Sequence, residues 1–159
     1  MTAEVGLLTS VVAAGLWSGL LLTVTTLLHP MFAADDGRAF ALDLRRFLPV
    51  ARTSPTNYIL VVLLLVAPVV ALVGLADDVA SAPFVLTALG LVATVAGPLL
   101  GSRLLAEPNY EVILGWDPDA VPADWRTARA RYFRWNWLRG GLTWLAFALF
   151  GVATYLYFT

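Results

Sequence analysis

Four apolar runs, over about residues 5–28, 57–76, 83–105 and 140–158, alternate along the chain with polar connections. Each run comes close to the roughly 20 residues that a helix needs to cross the hydrocarbon core of a bilayer. The pattern predicts an all-α fold, an integral membrane four-helix bundle made by one domain over residues 1–159. Glu4, not a basic segment, precedes the first run, and no small-residue cleavage site leads into a soluble domain. That run is therefore expected to be a retained span, not a signal peptide. Within it Gly15, Gly19 and Thr23 recur every fourth residue, which predicts a face for close helix packing.

The connections carry their own patterns. Between spans one and two, Asp35 or Asp36 is placed to cap a short helix with Phe40, Leu44, Phe47 and Leu48 on one face. This predicts an amphipathic helix at the membrane interface, with Arg38, Arg45, Arg46 and Arg52 turned to water and headgroups. Ser54 followed by Pro55 is a helix start, because serine caps free amides and proline fits the first turn. Asp77, Asp78 and Ser81, with Pro83 beyond, make a short acidic turn into span three. Gly97 and Gly101 bracket Pro98 there, which predicts a kink or a tight crossing. A helix is expected from about residue 123 into the last span, ending in an aromatic belt of Tyr155, Tyr157 and Phe158.

Composition agrees with the pattern. The chain is 60% hydrophobic, with a mean hydropathy of +0.80, against roughly 45–50% apolar content in ordinary soluble domains. Its 159 residues leave no room for a second domain beside four spans. Cysteine is absent, so disulfide frameworks, thiolate metal sites and thiol nucleophiles are excluded. All ten basic residues are arginine, and the net charge of -1 gives no electrostatic support for a nucleic-acid partner. The expected partner is the lipid bilayer. Four arginines lie between spans one and two, none between spans two and three, and six from Arg103 to Arg139, and the positive-inside rule then predicts a multi-pass cell-membrane protein with cytoplasmic arginines and both termini outside.

Most of the polar chemistry lies between Glu107 and Arg139, in EPNYEVILGWDPDAVPADWRTARARYFRWNWLR. Glu107, Pro108 and Asn109 are expected to follow the third span directly, and Asp124 or the preceding turn to cap the next helix. On that helix Trp125, Arg129, Tyr132, Asn136 and Arg139 fall at spacings of four, three, four and three, and so share one stripe. Burying a lone arginine in lipid costs about 2.5–3.5 kcal/mol, so the stripe is expected to face the bundle or a wet cleft. Arg126, Arg131 and Arg134 point elsewhere, toward headgroups.

The topology brings His29, Asn57, Glu107, Asn109, Asn136 and Arg139 to one depth. Such a set can hold and deprotonate a polar or aromatic substrate, with His29 as base and Arg139 steadying the anion. Asn109, Tyr132, Asn136, Trp125, Glu107 and Arg129 are the candidate substrate contacts. The alternative for the same residues is an interhelical hydrogen-bond cluster that fixes the bundle. A single histidine rules out bis-histidine haem ligation from this chain, and His29 with Glu107 makes only a poor partial metal site, so no metal is expected. Phosphate loops and Ser/His/Asp motifs are missing.

This segment resembles the anthrone oxygenase-like family of small four-span membrane proteins. Pro108, Asn109, Asp124, Trp125, Arg131, Tyr132 and Arg139 match its pattern, and the span layout matches over nearly the whole chain. The resemblance implies oxygenation of a lipophilic aromatic, as in the conversion of anthrones to anthraquinones, which in principle requires no cofactor. Two positions depart from the family. Tyr132 stands where tryptophan is common and Asn136 where many members have histidine, which leaves His29 as the only imidazole. The alternative expectation is a non-catalytic membrane protein that binds a lipophilic ligand or serves as a subunit.

Overall fold

The computed structural model describes residues 1–159 and contains helices and no strand. In chain order the helices are α1 (Thr2–Ala34), the amphipathic α2 (Gly37–Thr53), α3 (Pro55–Gly74), α4 (Ala82–Leu114) and α5 (Trp125–Phe158). All but α2 are long and apolar enough to cross a membrane. The protein is an all-α, multi-pass membrane bundle.

Its side chains are sorted as lipid demands. Val5, Leu8, Val12 and Leu16 of α1, and Ile59, Val62, Val66 and Val73 of α3, are exposed. Ala3, Ser10, Ala13, Ala14, Ala67, Ala71, Thr87, Ala93, Thr94, Thr143, Ala146 and Ala153 are buried. Large apolar groups on the outside, and small ones among the buried residues, suit packing in lipid, where helices gain by close approach and not by hiding from water. The buried hydroxyls bond back to their own helices, Ser10 Oγ to the Gly6 carbonyl at 2.7 Å and Thr94 Oγ1 to the Gly90 carbonyl at 3.0 Å.

Helix length divides the molecule into two storeys. At about 1.5 Å per residue, α3 with 20 residues spans the roughly 30 Å of hydrocarbon, whereas α1, α4 and α5, with 33, 33 and 34, run to about 50 Å. The excess projects at the arginine-rich end, where α2 packs against the extensions. One buried cluster there unites Phe32 of α1, Phe40, Ala41, Leu44 and Leu48 of α2, Ala106, Tyr110 and Ile113 of α4, Trp116, and Ala128 and Tyr132 of α5. A second, built from Ala13, Ala14, Trp17, Leu21, Leu60, Leu64, Ala93, Ala146 and Phe150, fills the spanning part.

Two of the three long helices widen locally into π-type turns, over Val24–Leu28 in α1 and Val95–Ala106 in α4. Pro30 follows the first widening, Pro98 lies within the second and Pro108 follows it. Proline lacks the donor for the normal ladder and crowds the preceding turn, and a wider turn accommodates both effects.

Several expectations change. The helix that carries span three does not stop near residue 105; α4 continues to Leu114, so Glu107 and Asn109 are helical and not in a loop. The wide turns before Pro108 relieve its clash and let the helix resume. The last helix starts at Trp125, and the Asp124 side chain does not cap it; the Trp125 amide instead donates to the Pro122 carbonyl at 3.1 Å. Asp36 does cap α2, accepting from the Ala39 amide at 2.8 Å, but the apolar face of α2 is covered by protein and not by acyl chains.

The predicted glycine face is only partly used. Gly15 meets the Phe147 ring, whereas Gly19 has open space beside it and Thr23 is exposed. The tight crossing is one end away, where a Cβ on Gly6 would lie 2.4 Å from the Ala71 amide nitrogen. Gly6→Leu is therefore expected to destabilise the protein by about 1–3 kcal/mol through overpacking against backbone. Gly19→Leu should leave the thermal midpoint in detergent unchanged; equal effects of the two would contradict this crossing.

Candidate functional site

A cavity of about 730 Å³ opens where α2 ends and α3 begins. Val50, Ala51, Arg52, Ser54, Asn57 and Tyr58 from that corner form one side. Its apolar wall is Trp17, Leu21, Val24, Val61 and Pro98, and its polar wall is Ser102, Glu107, Tyr110, Asn136 and Arg139. Phe47, Leu48 and Tyr132, with exposed Leu20, Arg103 and Glu111, complete the lining. The size falls within the range of small-molecule sites, roughly 300–1,000 Å³. The cavity lies at the Pro55 end of α3, whose 20 residues match one bilayer thickness.

The polar wall is a connected network. Arg139 donates from Nη1 to Ser102 Oγ at 3.0 Å and from Nη2 to Asn136 Oδ1 at 2.7 Å. The Tyr110 hydroxyl donates to the same Asn136 oxygen at 3.3 Å, and Asn136 Nδ2 donates to the Tyr132 carbonyl at 3.0 Å. Asn136 is only 1% exposed, so its bonds fix the geometry of the wall. Arg139 has no carboxylate within 4.0 Å, and its Nε is buried without a partner.

Facing it, Arg52 of α2 pairs with Glu107 at 2.5 Å and Glu111 at 2.7 Å, both on α4. Partial burial works against the charge on Arg52, but the hydrogen bonds and attraction of Glu111 and Glu107 outweigh it and hold the guanidinium above its ordinary pKa. Arg52 thus ties the end of α2 to the side of α4 instead of meeting headgroups as expected. Its neighbours do similar work. Arg45 donates to the Leu114 carbonyl at 3.2 Å and to the Trp116 carbonyl, and Arg38 pairs with Asp119 at 2.8 Å.

The predicted site residues separate into two groups. Glu107, Tyr132, Asn136 and Arg139 line the cavity; His29, Asn109, Trp125 and Arg129 do not. Asn109 Nδ2 donates to the Ala128 carbonyl at 3.1 Å and joins α4 to α5. Arg129 donates to the carbonyls of Phe32, Ala33 and Asp35 at 2.9, 3.2 and 2.9 Å, which closes the C-terminal end of α1. Its guanidinium lies 4.5 Å from the Trp125 ring centre. Beside it Asp35 has its pKa raised, by the burial of its carboxyl and then by the charge of Asp43.

His29 is buried at 5% exposure in an aromatic slot, its ring centre 4.4 Å from Phe133, 5.5 Å from Tyr132 and 6.5 Å from Trp137. Neither ring nitrogen has a partner. The expected role of His29 as base toward a substrate in the cavity therefore has no support from position. Arg126, Arg131 and Arg134 are exposed and stand outside the cavity lining.

Ser102, Arg52, Tyr110 and Glu111 escaped the sequence reading. Pro98, Ser102, Glu107, Tyr110 and Glu111 share one side of α4, but the spacing includes a π-type stretch that breaks the ordinary period. Arg52 reaches its partners from 55 and 59 residues away, and no local pattern signals that.

Fold and cavity together define a helical multi-pass membrane protein with an amphipathic cavity at the arginine-rich end of its bundle. No protein-family model, curated protein or solved structure matches the chain.

Since Arg52 is the link from the end of α2 to α4, Arg52→Gln should speed amide hydrogen exchange in α2 while leaving α1 and α3 unaffected. Unchanged protection of α2 would show that its apolar face alone holds it in place.

Proposed function

We propose that the protein is a membrane oxygenase of the anthrone oxygenase-like type, taking a lipophilic aromatic substrate from the bilayer into the cavity at the α2–α3 corner. The observation that carries this reading is the cavity itself, apolar on the bilayer side and polar on the other, at the depth where such molecules partition. The match of Pro108, Asn109, Asp124, Trp125, Arg131, Tyr132 and Arg139 to the family pattern supplies the reaction class. By the positive-inside rule the arginine-rich end faces the cytoplasm and both termini lie outside.

In the proposed reaction an anthrone loses a C–H proton and becomes an electron-rich enolate. Dioxygen accepts electrons from it, and the resulting hydroperoxide loses water to leave a quinone, so anthrone and dioxygen give anthraquinone and water. Arg139 steadies the enolate oxygen. Of the two carboxylates on the wall, Glu107 is the less exposed, with a side chain at 37% against 68% for Glu111, and it takes the proton.

A second reading, ligand binding without turnover, is favoured by the position of His29 outside the cavity. Oxygen uptake by purified protein with an anthrone separates the two. Arg139→Ala should slow uptake by roughly 10²-fold, the loss expected when a donor to a developing oxyanion is removed. Glu107→Gln should also be slow, and His29→Phe should retain the wild-type rate. Binding of the anthrone with no oxygen consumed would replace the oxygenase reading with the binding one.

A further inference from the structure

We infer that the cavity selects an amphiphile with a monoanionic head, bound with its charged group against Arg139 and its apolar body against Trp17, Leu21, Val24, Val61 and Pro98. This rests on the proposed cavity site and names the ligand class that the site takes.

A guanidinium partly withdrawn from water, as that of Arg139 is, ordinarily finds a carboxylate, because an unpaired charge there is costly. Arg139 finds two neutral oxygens, on Ser102 and Asn136, and keeps a buried Nε with no partner. The carboxylates of the same wall do not compensate it, since Glu107 and Glu111 both go to Arg52. Arg103, also on the lining, has no ion pair. Three guanidiniums against two carboxylates leave the cavity with an excess of positive charge.

The neutral acceptors also orient the cation. Ser102 and Asn136 hold one nitrogen each from α4 and α5, which fixes the guanidinium plane without neutralising it. Such preorganisation costs nothing when a ligand arrives. A carboxylate presents the two oxygens that a guanidinium fork matches, and an ionised phenol presents one charged acceptor.

Size narrows the class. At about 30 Å³ per water-sized unit the cavity holds roughly two dozen heavy atoms. That suits a fused aromatic acid or a single acyl chain, and a two-chain phospholipid is too large. An anionic phospholipid could still offer its head alone, and the experiment distinguishes that source.

The test uses protein in phosphatidylcholine nanodiscs and two fluorescent probes, anthracene-2-carboxylate and its uncharged carboxamide. The carboxylate should bind at least about tenfold more tightly, the scale of one charge-assisted hydrogen bond. Arg139→Gln should bring the two probes level by weakening the carboxylate alone. Arg139→Lys, which keeps the charge, should retain the preference and serve as the control for folding. Val61→Trp, which fills the apolar half, should exclude both.

Equal binding of the two probes to wild type, with both excluded by Val61→Trp, would overturn the anion assignment and leave the cavity reading intact. Failure of both probes to bind, or binding unaffected by Val61→Trp, would overturn both. Added phosphatidylglycerol should not displace the carboxylate. Displacement would assign the head to a bilayer lipid and overturn the free-acid assignment.

Discussion

One mismatch of length governs this molecule: α3 is a single bilayer long, and the other three spanning helices outrun it by about 20 Å at 1.5 Å per residue. Three parallel extensions cannot enclose a core by themselves. The chain supplies the fourth wall from α2, whose buried Phe40, Leu44 and Leu48 meet Tyr110, Ile113 and Tyr132. The corner at Ser54 is where one helix replaces another. Two helix ends meeting at an angle do not fill space as a continuous helix would, and the cavity occupies what is left.

That origin accounts for the character of the cavity. Below the corner it is walled by residues chosen for lipid, such as Trp17, Leu21 and Val61; above it, by residues of the polar storey. Arg139 stands at the junction, one residue before Gly140 and the apolar part of α5. Its position suits both the anchoring role that arginine takes at an interface and recognition of a ligand head. The absence of a carboxylate partner favours recognition. The Arg52 pairs with Glu107 and Glu111 act differently, as a clasp between α2 and α4 at the cavity edge.

Much of this was legible in the sequence, and the parts that were not have physical reasons. Apolar runs of bilayer length located the spans, because lipid enforces that length. The spacing of Tyr132, Asn136 and Arg139 showed an inward stripe, because regular helix preserves the 3.6-residue period. The same rule failed on α4, where the π-type turns around Pro98 hid the face shared by Ser102 and Glu107 and made Pro108 look like an end. Trp125 and Arg129 sit on the stripe as expected, but a stripe fixes direction and not depth, and these two lie toward the far end of the polar storey. His29 was grouped with the site by depth alone, and its side chain turns into the aromatic slot of Phe133 and Trp137. Arg52 shows the opposite failure, since a contact across 55 residues leaves no trace in local pattern.

The claim on which the account turns is that the space at the α2–α3 corner is a ligand site of defined chemistry and not a packing defect. Native mass spectrometry of the protein released from membranes tests it most directly, comparing wild type with Val61→Trp. The account predicts a one-to-one adduct on wild type that is acidic and lipophilic, and its loss from the variant. An adduct that survives filling of the cavity, or a wild-type protein that carries only neutral lipid there, would contradict it.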